Sequence, residues 1–181
     1  FLQELWPLLG CLQVTVKNQK RTNQKHKVLN IQSNYLVPNL YNEVENYCYN
    51  ADYYYGERDT PNSIPVGLVH NLKLDSKIVS YFPKVENNLF LFRAYINLFS
   101  AGEQPNFHTD EGKLTSLYYI NIDNYNLNEG GCTEILTHKQ HLVSVLPIRN
   151  TLVTFDAELP HRATSFKNMS RFTLALKYDK V

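Results

Sequence analysis

Cysteine is scarce in this chain: Cys11, Cys48 and Cys132 are the only three among 181 residues. An odd number at wide spacing gives neither a disulfide framework nor a zinc-ligand pattern, so a reducing compartment, the cytoplasm, is the expected setting. No apolar run reaches the roughly 18–20 residues that a membrane-crossing helix needs, and no membrane partner is expected. An excess of charge is missing as well. Eighteen Lys and Arg against seventeen Asp and Glu leave a net charge of +1. The molecule as a whole therefore has no strong field to recruit nucleic acid or an anionic surface. The opening Phe1-Leu2-Gln3-Glu4 lacks an initiator Met and carries an acid where a secretory signal wants a base. The chain is read as trimmed or partial at its N-terminus.

What is present fits one domain, residues 1–181, long enough for a substantial core. It divides by texture into a lead-in with helices and a loop, 1–83, and a strand-rich core, 84–181. The run from Lys17 to Lys27 holds five formal positive charges, and the chain from Val28 onward is net −3. Such a run reads as a solvated tail or, alternatively, as a contact for nucleic acid or an acidic partner. Leu12–Val16 and Val28–Gln32 are short strand candidates. Pro38-Asn39 opens a helix to about Asn50, with Leu40, Val44 and Tyr47 at helical spacing. Residues 53–66, with Gly56, Pro61 and Pro65, read as a loop, and 77–82 as a second short helix stopped by Pro83. From Leu89 onward, 89–99, 115–122, 132–136, 141–146, 151–155, 162–165 and 171–178 read as strands separated mostly by Asn, Gly and Pro. In the last, Phe172, Leu174 and Leu176 face one way, and Thr173, Ala175 and Lys177 the other. Seven or eight short strands after a helical lead-in predict a mainly β fold, a double-sheet jelly roll.

The residues that carry chemistry are His108-Thr109-Asp110, then His161, then Arg171. Two imidazoles and one carboxylate can hold one face of an octahedral Fe(II) and leave the opposite face open. His108 and Asp110, at i and i+2, share a face on an extended strand. Six His and seven Asp give about a quarter of an H-x-D by chance, so the motif needs its context. Alone it reads as a surface turn, since Thr109, Asp110, Glu111 and Gly112 are turn-formers; His161 and Arg171 favour the metal reading. Arg171 shares a strand face with Thr173; an inward arginine must be paired, with a ligand carboxylate or with a structural acid.

The ordered set Arg93–Phe99, Phe107-His108-Thr109-Asp110, Leu117-Tyr118-Tyr119-Ile120-Asn121, Glu129-Gly130-Gly131-Cys132-Thr133, Leu152–Phe155, Pro160-His161-Arg162 and Arg171–Leu176 resembles the Fe(II)/2-oxoglutarate-dependent dioxygenases, in their prolyl-4-hydroxylase-like branch. The resemblance spans about half the chain, Phe90 to Tyr178. Upstream, Tyr54-Tyr55-Gly56-Glu57 and Pro65–His70 look like the lead-in of small microbial and viral members, for which a host cytoplasm is the setting. It implies a double-stranded β-helix (cupin-like) barrel and iron held by His108, Asp110 and His161. Arg171 would hold the distal carboxylate of 2-oxoglutarate, helped by Tyr119 and by the Thr173 hydroxyl. Arginine at that place resembles oxygen-sensing prolyl hydroxylases and several nucleobase oxygenases, whereas collagen-type enzymes carry lysine.

The implied activity is hydroxylation of an unactivated C–H bond with Fe(II), 2-oxoglutarate and O2, supported by ascorbate. A peptidyl proline is the first expectation for substrate and a nucleobase the second. A binding protein on the same cupin-like barrel, without catalysis, is the alternative of another class. Tyr95 and Phe107 are further pocket candidates, Tyr95 toward the co-substrate. His138 and His141 read as solvated loop residues outside the triad, Cys132 as a packed strand residue, and Gly130-Gly131 as a turn or bulge.

Overall fold

The computed structural model describes residues 29–56, 58, 63–120 and 125–181. Its elements run β1 (Asn30–Ser33), α1 (Pro38–Asn50), β2 (Tyr54–Tyr55), β3 (Leu68–Asn71), β4 (Val85–Glu86), β5 (Leu89–Phe99), β6 (Leu114–Tyr119), β7 (Thr133–Leu136), β8 (Leu142–Val145), β9 (Thr151–Asp156), β10 (His161–Ala163) and β11 (Arg171–Asp179). The expected strand at 12–16 and the basic run 17–27 lie outside the described residues.

Among the described residues the strands form two antiparallel sheets. The larger has eight strands in the order β1-β9-β6-β11-β5-β3-β2, with β4 also on β5; the smaller is β10-β7-β8. Strands from both sides of residue 83 thus share one sheet. Period-2 alternation makes each central strand two-faced. On β11 and β6 the residues Leu174, Leu176, Tyr178, Leu114 and Tyr118 turn outward into a cluster with Ile96, Val44 and Cys48. The opposite faces, with Leu117, Tyr119, Val153, Phe155 and Ala175, meet Ile135 and Val145 of the smaller sheet. Both faces of β6 are buried, the hydroxyls of Thr115 and Ser116 included. The result is the jelly-roll barrel expected from the sequence, with helix α1 packed on its outside.

Helix α1 starts with Pro38 in its first turn, where a missing N–H costs nothing. Its buried residues are Tyr41, Val44 and Cys48, one step round from the expected Leu40, Val44 and Tyr47, which are part-buried apart from Val44. The Tyr41 hydroxyl decides this: it donates to the Ile120 carbonyl at the end of β6. The helix expected at 77–82 is a single 3-10 turn, Val79–Tyr81. Residues 53–66, expected as a loop, contain the two-residue strand β2, which pairs with β3. β2, β3 and β4 were not foreseen. Gly130 and Gly131 form the expected tight turn, with φ of +81° and +77°. A Cβ on Gly131 would stand 2.1 Å from the Phe166 ring.

Candidate active site

His108 and His161 are brought together by backbone pairing. His108 N–H donates to His161 O at 3.0 Å and His161 N–H to His108 O at 2.9 Å. This is the closely spaced pair of an antiparallel ladder, whose two side chains project to the same side. The imidazole centroids are 4.6 Å apart. His108 therefore sits in an isolated bridge rather than in the continuous strand the H-x-D spacing suggested. Asp110 lies just beyond it, its N–H donating to Ala157 O at 2.9 Å. Ligand atoms of His108, Asp110 and His161 all lie within 4.8 Å of one another.

Each imidazole has its Nδ1 on a backbone carbonyl: His108 on Asn106 O at 3.0 Å, His161 on Leu159 O at 2.8 Å. A carbonyl only accepts, so Nδ1 carries the proton and Nε2 keeps its lone pair for a metal. Asp110 Oδ2 is 3.1 Å from His161 Nε2, and Oδ1 is 3.9 Å from His108 Nε2. Asp110 Oδ2 also accepts from Thr115 Oγ1 at 2.6 Å and from the Lys177 ammonium. Burial alone would push the Asp110 carboxyl up. The Lys177 ammonium outweighs it and holds the carboxyl well below the usual carboxylate range. The carboxylate is thus available to a cation at any ordinary pH.

Arg171 opens the inner row of β11 and is 3% exposed. Its Nε donates to Thr173 Oγ1 at 3.0 Å and Nη2 to Thr133 Oγ1 at 2.6 Å. Tyr119 donates to the same Thr133 oxygen at 2.6 Å, and its ring centroid lies 5.3 Å from the guanidinium carbon. Burial pulls the pKa of the guanidinium down and pushes that of the Tyr119 phenol up. Among the described residues Arg171 Nη1 is buried without a hydrogen-bond partner. A buried cation with an idle donor is expensive, and a carboxylate is the group that would satisfy it two-pronged.

One cavity joins the two clusters; Tyr95, Asn97, Leu117, Thr133, Thr173 and Lys177 line it together with the two histidines and Arg171. An open mouth, two imidazoles and one carboxylate at one end, and a charged fork at the other, fit a divalent metal chelated by a small dicarboxylate.

No protein-family profile and no curated protein matches the chain. Solved structures do. A prolyl hydroxylase from Trichoplax adhaerens, in complex with a hypoxia inducible factor oxygen degradation domain peptide, aligns over 84% of this chain and 83% of its own, with a TM-score of 0.66 at 17% identity. The viral collagen prolyl hydroxylase of Paramecium Bursaria Chlorella virus-1, in its 2-oxoglutarate complex, covers 84% and 96% with a TM-score of 0.61 at 9% identity. HygX from Streptomyces hygroscopicus, with nickel and 2-oxoglutarate bound, covers 84% and 83% with a TM-score of 0.61 at 11% identity. The chain has the fold of the Fe(II)/2-oxoglutarate oxygenases.

Within that oxygenase fold the triad expected from the sequence is assembled, and so is the Arg171, Tyr119 and Thr173 cluster. Tyr95 is buried on the cavity wall, with the Arg93 guanidinium 4.4 Å from its ring centroid. Phe107 is 41% exposed and lies under Arg162 at 4.4 Å, away from the carboxylate-holding end. His138 and His141 are in the exposed β7–β8 turn, as expected. Cys132 is part-buried, its sulfur 3.7 Å from the Tyr125 hydroxyl. Three site residues escaped the sequence reading. Thr133 links Tyr119 to Arg171, and Thr115 and Lys177 both hold Asp110. Parity was the available signal: Thr133 alternates inward with Ile135, and Lys177 lies on the face of Arg171.

Proposed function

We propose that the protein is an Fe(II)- and 2-oxoglutarate-dependent dioxygenase that hydroxylates an unactivated C–H bond. The observation that carries this reading is the buried, idle Arg171 Nη1 on the cavity that His108 and His161 also line, with the Asp110 carboxylate within 4.8 Å of both histidines' ligand atoms. His108 Nε2, His161 Nε2 and the Asp110 carboxylate would hold the iron. Arg171, with Tyr119, Thr133 and Thr173, would hold the far carboxylate of 2-oxoglutarate. Iron, 2-oxoglutarate and O2 together supply the oxidant, one oxygen atom going to the substrate as hydroxyl and the other to succinate, with release of CO2. The chain's own contribution is placement. The Asn106 and Leu159 carbonyls fix which imidazole nitrogen faces inward. Leu117, Val153 and Phe155 wall the barrel against water, which strengthens every charged contact inside.

For the substrate we propose a peptidyl proline. Two of the three neighbours described above are prolyl hydroxylases, one of them bound to a peptide, and the near-neutral charge gives no broad polyanion-binding surface. The five charges of Lys17–Lys27 favour a second reading, a nucleobase substrate. One assay separates the two: proline-containing peptides and single-stranded oligonucleotides are incubated with Fe(II), ascorbate and 2-oxoglutarate, and products are read by mass. A gain of one oxygen on a prolyl residue, matched by succinate, supports the first reading. The same gain, or loss of an alkyl group, on the oligonucleotide alone replaces it with the second.

A further inference from the structure

Lys177 has no part in the reading above, and its position is unusual. It lies on the inner row of β11 six residues beyond Arg171 and is 4% exposed. Register holds it there: Lys177 pairs with Thr115 of β6 and with Arg93 of β5. Its ammonium is bonded to Asp110 Oδ2, lies 3.3 Å from Thr115 Oγ1, and stands 5.7 Å from the centroid of the Tyr95 ring. The same Oδ2 accepts the Thr115 hydroxyl and faces His161 Nε2 at 3.1 Å. A lysine this long usually carries its charge out to water. Here the charge is kept inside, against the one anionic ligand of the triad.

A divalent ion held by Asp110 and the two imidazoles would share that carboxylate with a fixed positive charge, in a place where water screens poorly. Repulsion weakens binding of the ion alone. A dicarboxylate arriving beside the ion brings negative charge to the same place and relieves the repulsion. Resting on the iron and 2-oxoglutarate reading of the site, we propose that Lys177 is a positioning residue. It occupies the Asp110 carboxylate in the metal-free protein and makes metal and 2-oxoglutarate bind cooperatively, the ion weakly by itself and tightly with the dianion. The coupling is reciprocal, so 2-oxoglutarate is also held weakly without metal.

The test is calorimetric titration of the full chain with Mn(II), which has the charge and ligand taste of Fe(II), with and without saturating 2-oxoglutarate. The proteins are the wild type, Lys177→Met and Lys177→Arg, with Asp110→Ala as control and circular dichroism as the check on folding. In the wild type 2-oxoglutarate should tighten Mn(II) binding by about tenfold or more. In Lys177→Met, Mn(II) alone should bind about tenfold more tightly than in the wild type, and the added effect of 2-oxoglutarate should fall to about threefold or less. Lys177→Arg, which keeps the charge, should keep the coupling. If Lys177→Met binds Mn(II) alone no better and the coupling is unchanged, the proposal is wrong and the metal reading stands. If the wild type binds no Mn(II), or the Asp110 variant binds as well as the wild type, the underlying site reading fails and takes the proposal with it. Should Lys177→Met not fold, Lys177→Gln carries the same expectations and the same refutation.

Discussion

At the scale of single residues four side chains, His108, Asp110, His161 and Arg171, carry the proposed chemistry. Replacing His108, Asp110 or His161 by Ala should abolish metal binding and turnover, because each removal opens a shell of only three protein ligands. Turnover near wild type in the Asp110 variant would remove the metal assignment. Arg171→Lys should raise the 2-oxoglutarate concentration needed for half-maximal turnover at least about tenfold while leaving Mn(II) affinity unchanged, since a point charge replaces a planar fork. A loss of Mn(II) affinity instead would make Arg171 a structural support of the triad. Asp110 also predicts a pH dependence in the metal-free protein. Its folded pKa is depressed, so the stability it contributes is complete above its unfolded value, near 3.9, and is lost as pH falls below that toward the folded value. In urea titrations Asp110→Asn should be less stable than wild type near neutrality, by about 3 kcal/mol for a broken buried pair. That gap should narrow as pH drops below about 4; a gap that holds or widens there contradicts the assignment. The triad and Arg171 were legible because their residue types and order are specific. Thr133, Thr115 and Lys177 were not, because an inward polar residue on a strand declares its partner only when the facing strand is known.

At the scale of elements the long strands and the helix were legible from their periodicity, with ends off by up to three residues. The four-residue β3 and the two-residue β2 and β4 were not. Two residues carry no period, and β2 and β4 exist because β3 and β5 offer open edges to pair with. The facing side of α1 was one position off because Leu40, Val44 and Tyr47 and Tyr41, Val44 and Cys48 fit the helical repeat equally well; a hydroxyl-to-carbonyl bond 79 residues away chose between them. The Gly130-Gly131 turn makes an element-level prediction. It delivers β7, and with it Thr133, to the Arg171 cluster. Gly131→Ala would place a methyl against the Phe166 ring at a left-handed φ. It should cost about 2 kcal/mol or more from backbone strain and overpacking together, read as a lowered urea midpoint. It should also weaken 2-oxoglutarate binding. Unchanged stability would mean that the turn rearranges freely and does not set the position of β7.

At the scale of the whole molecule the barrel was legible from the count of alternating strands, and the candidate metal and arginine site from the types and order of a few residues, while the substrate was not. The barrel interior is written in side chains that alternate and repeat. Substrate choice has no comparable period to read. The charge split between Lys17–Lys27 and the rest of the chain gives one check on partners. Deleting residues 1–27 should leave Mn(II) and 2-oxoglutarate binding unchanged. Salt-sensitive binding of single-stranded oligonucleotides by the full chain, lost on deletion, would promote the nucleobase substrate. The claim beneath all of these is that one cavity binds iron and 2-oxoglutarate together, and it can be tested without knowing the substrate. Fe(II) and 2-oxoglutarate are added without oxygen to the purified chain, and the visible charge-transfer absorption of an iron-bound 2-oxo acid is followed. The account predicts a band that needs both additions, saturates at one iron per chain and is absent from Asp110→Ala. In Arg171→Lys it should return only at higher 2-oxoglutarate. A folded wild type that gives no band, or an Asp110 variant whose band is undiminished, would contradict it.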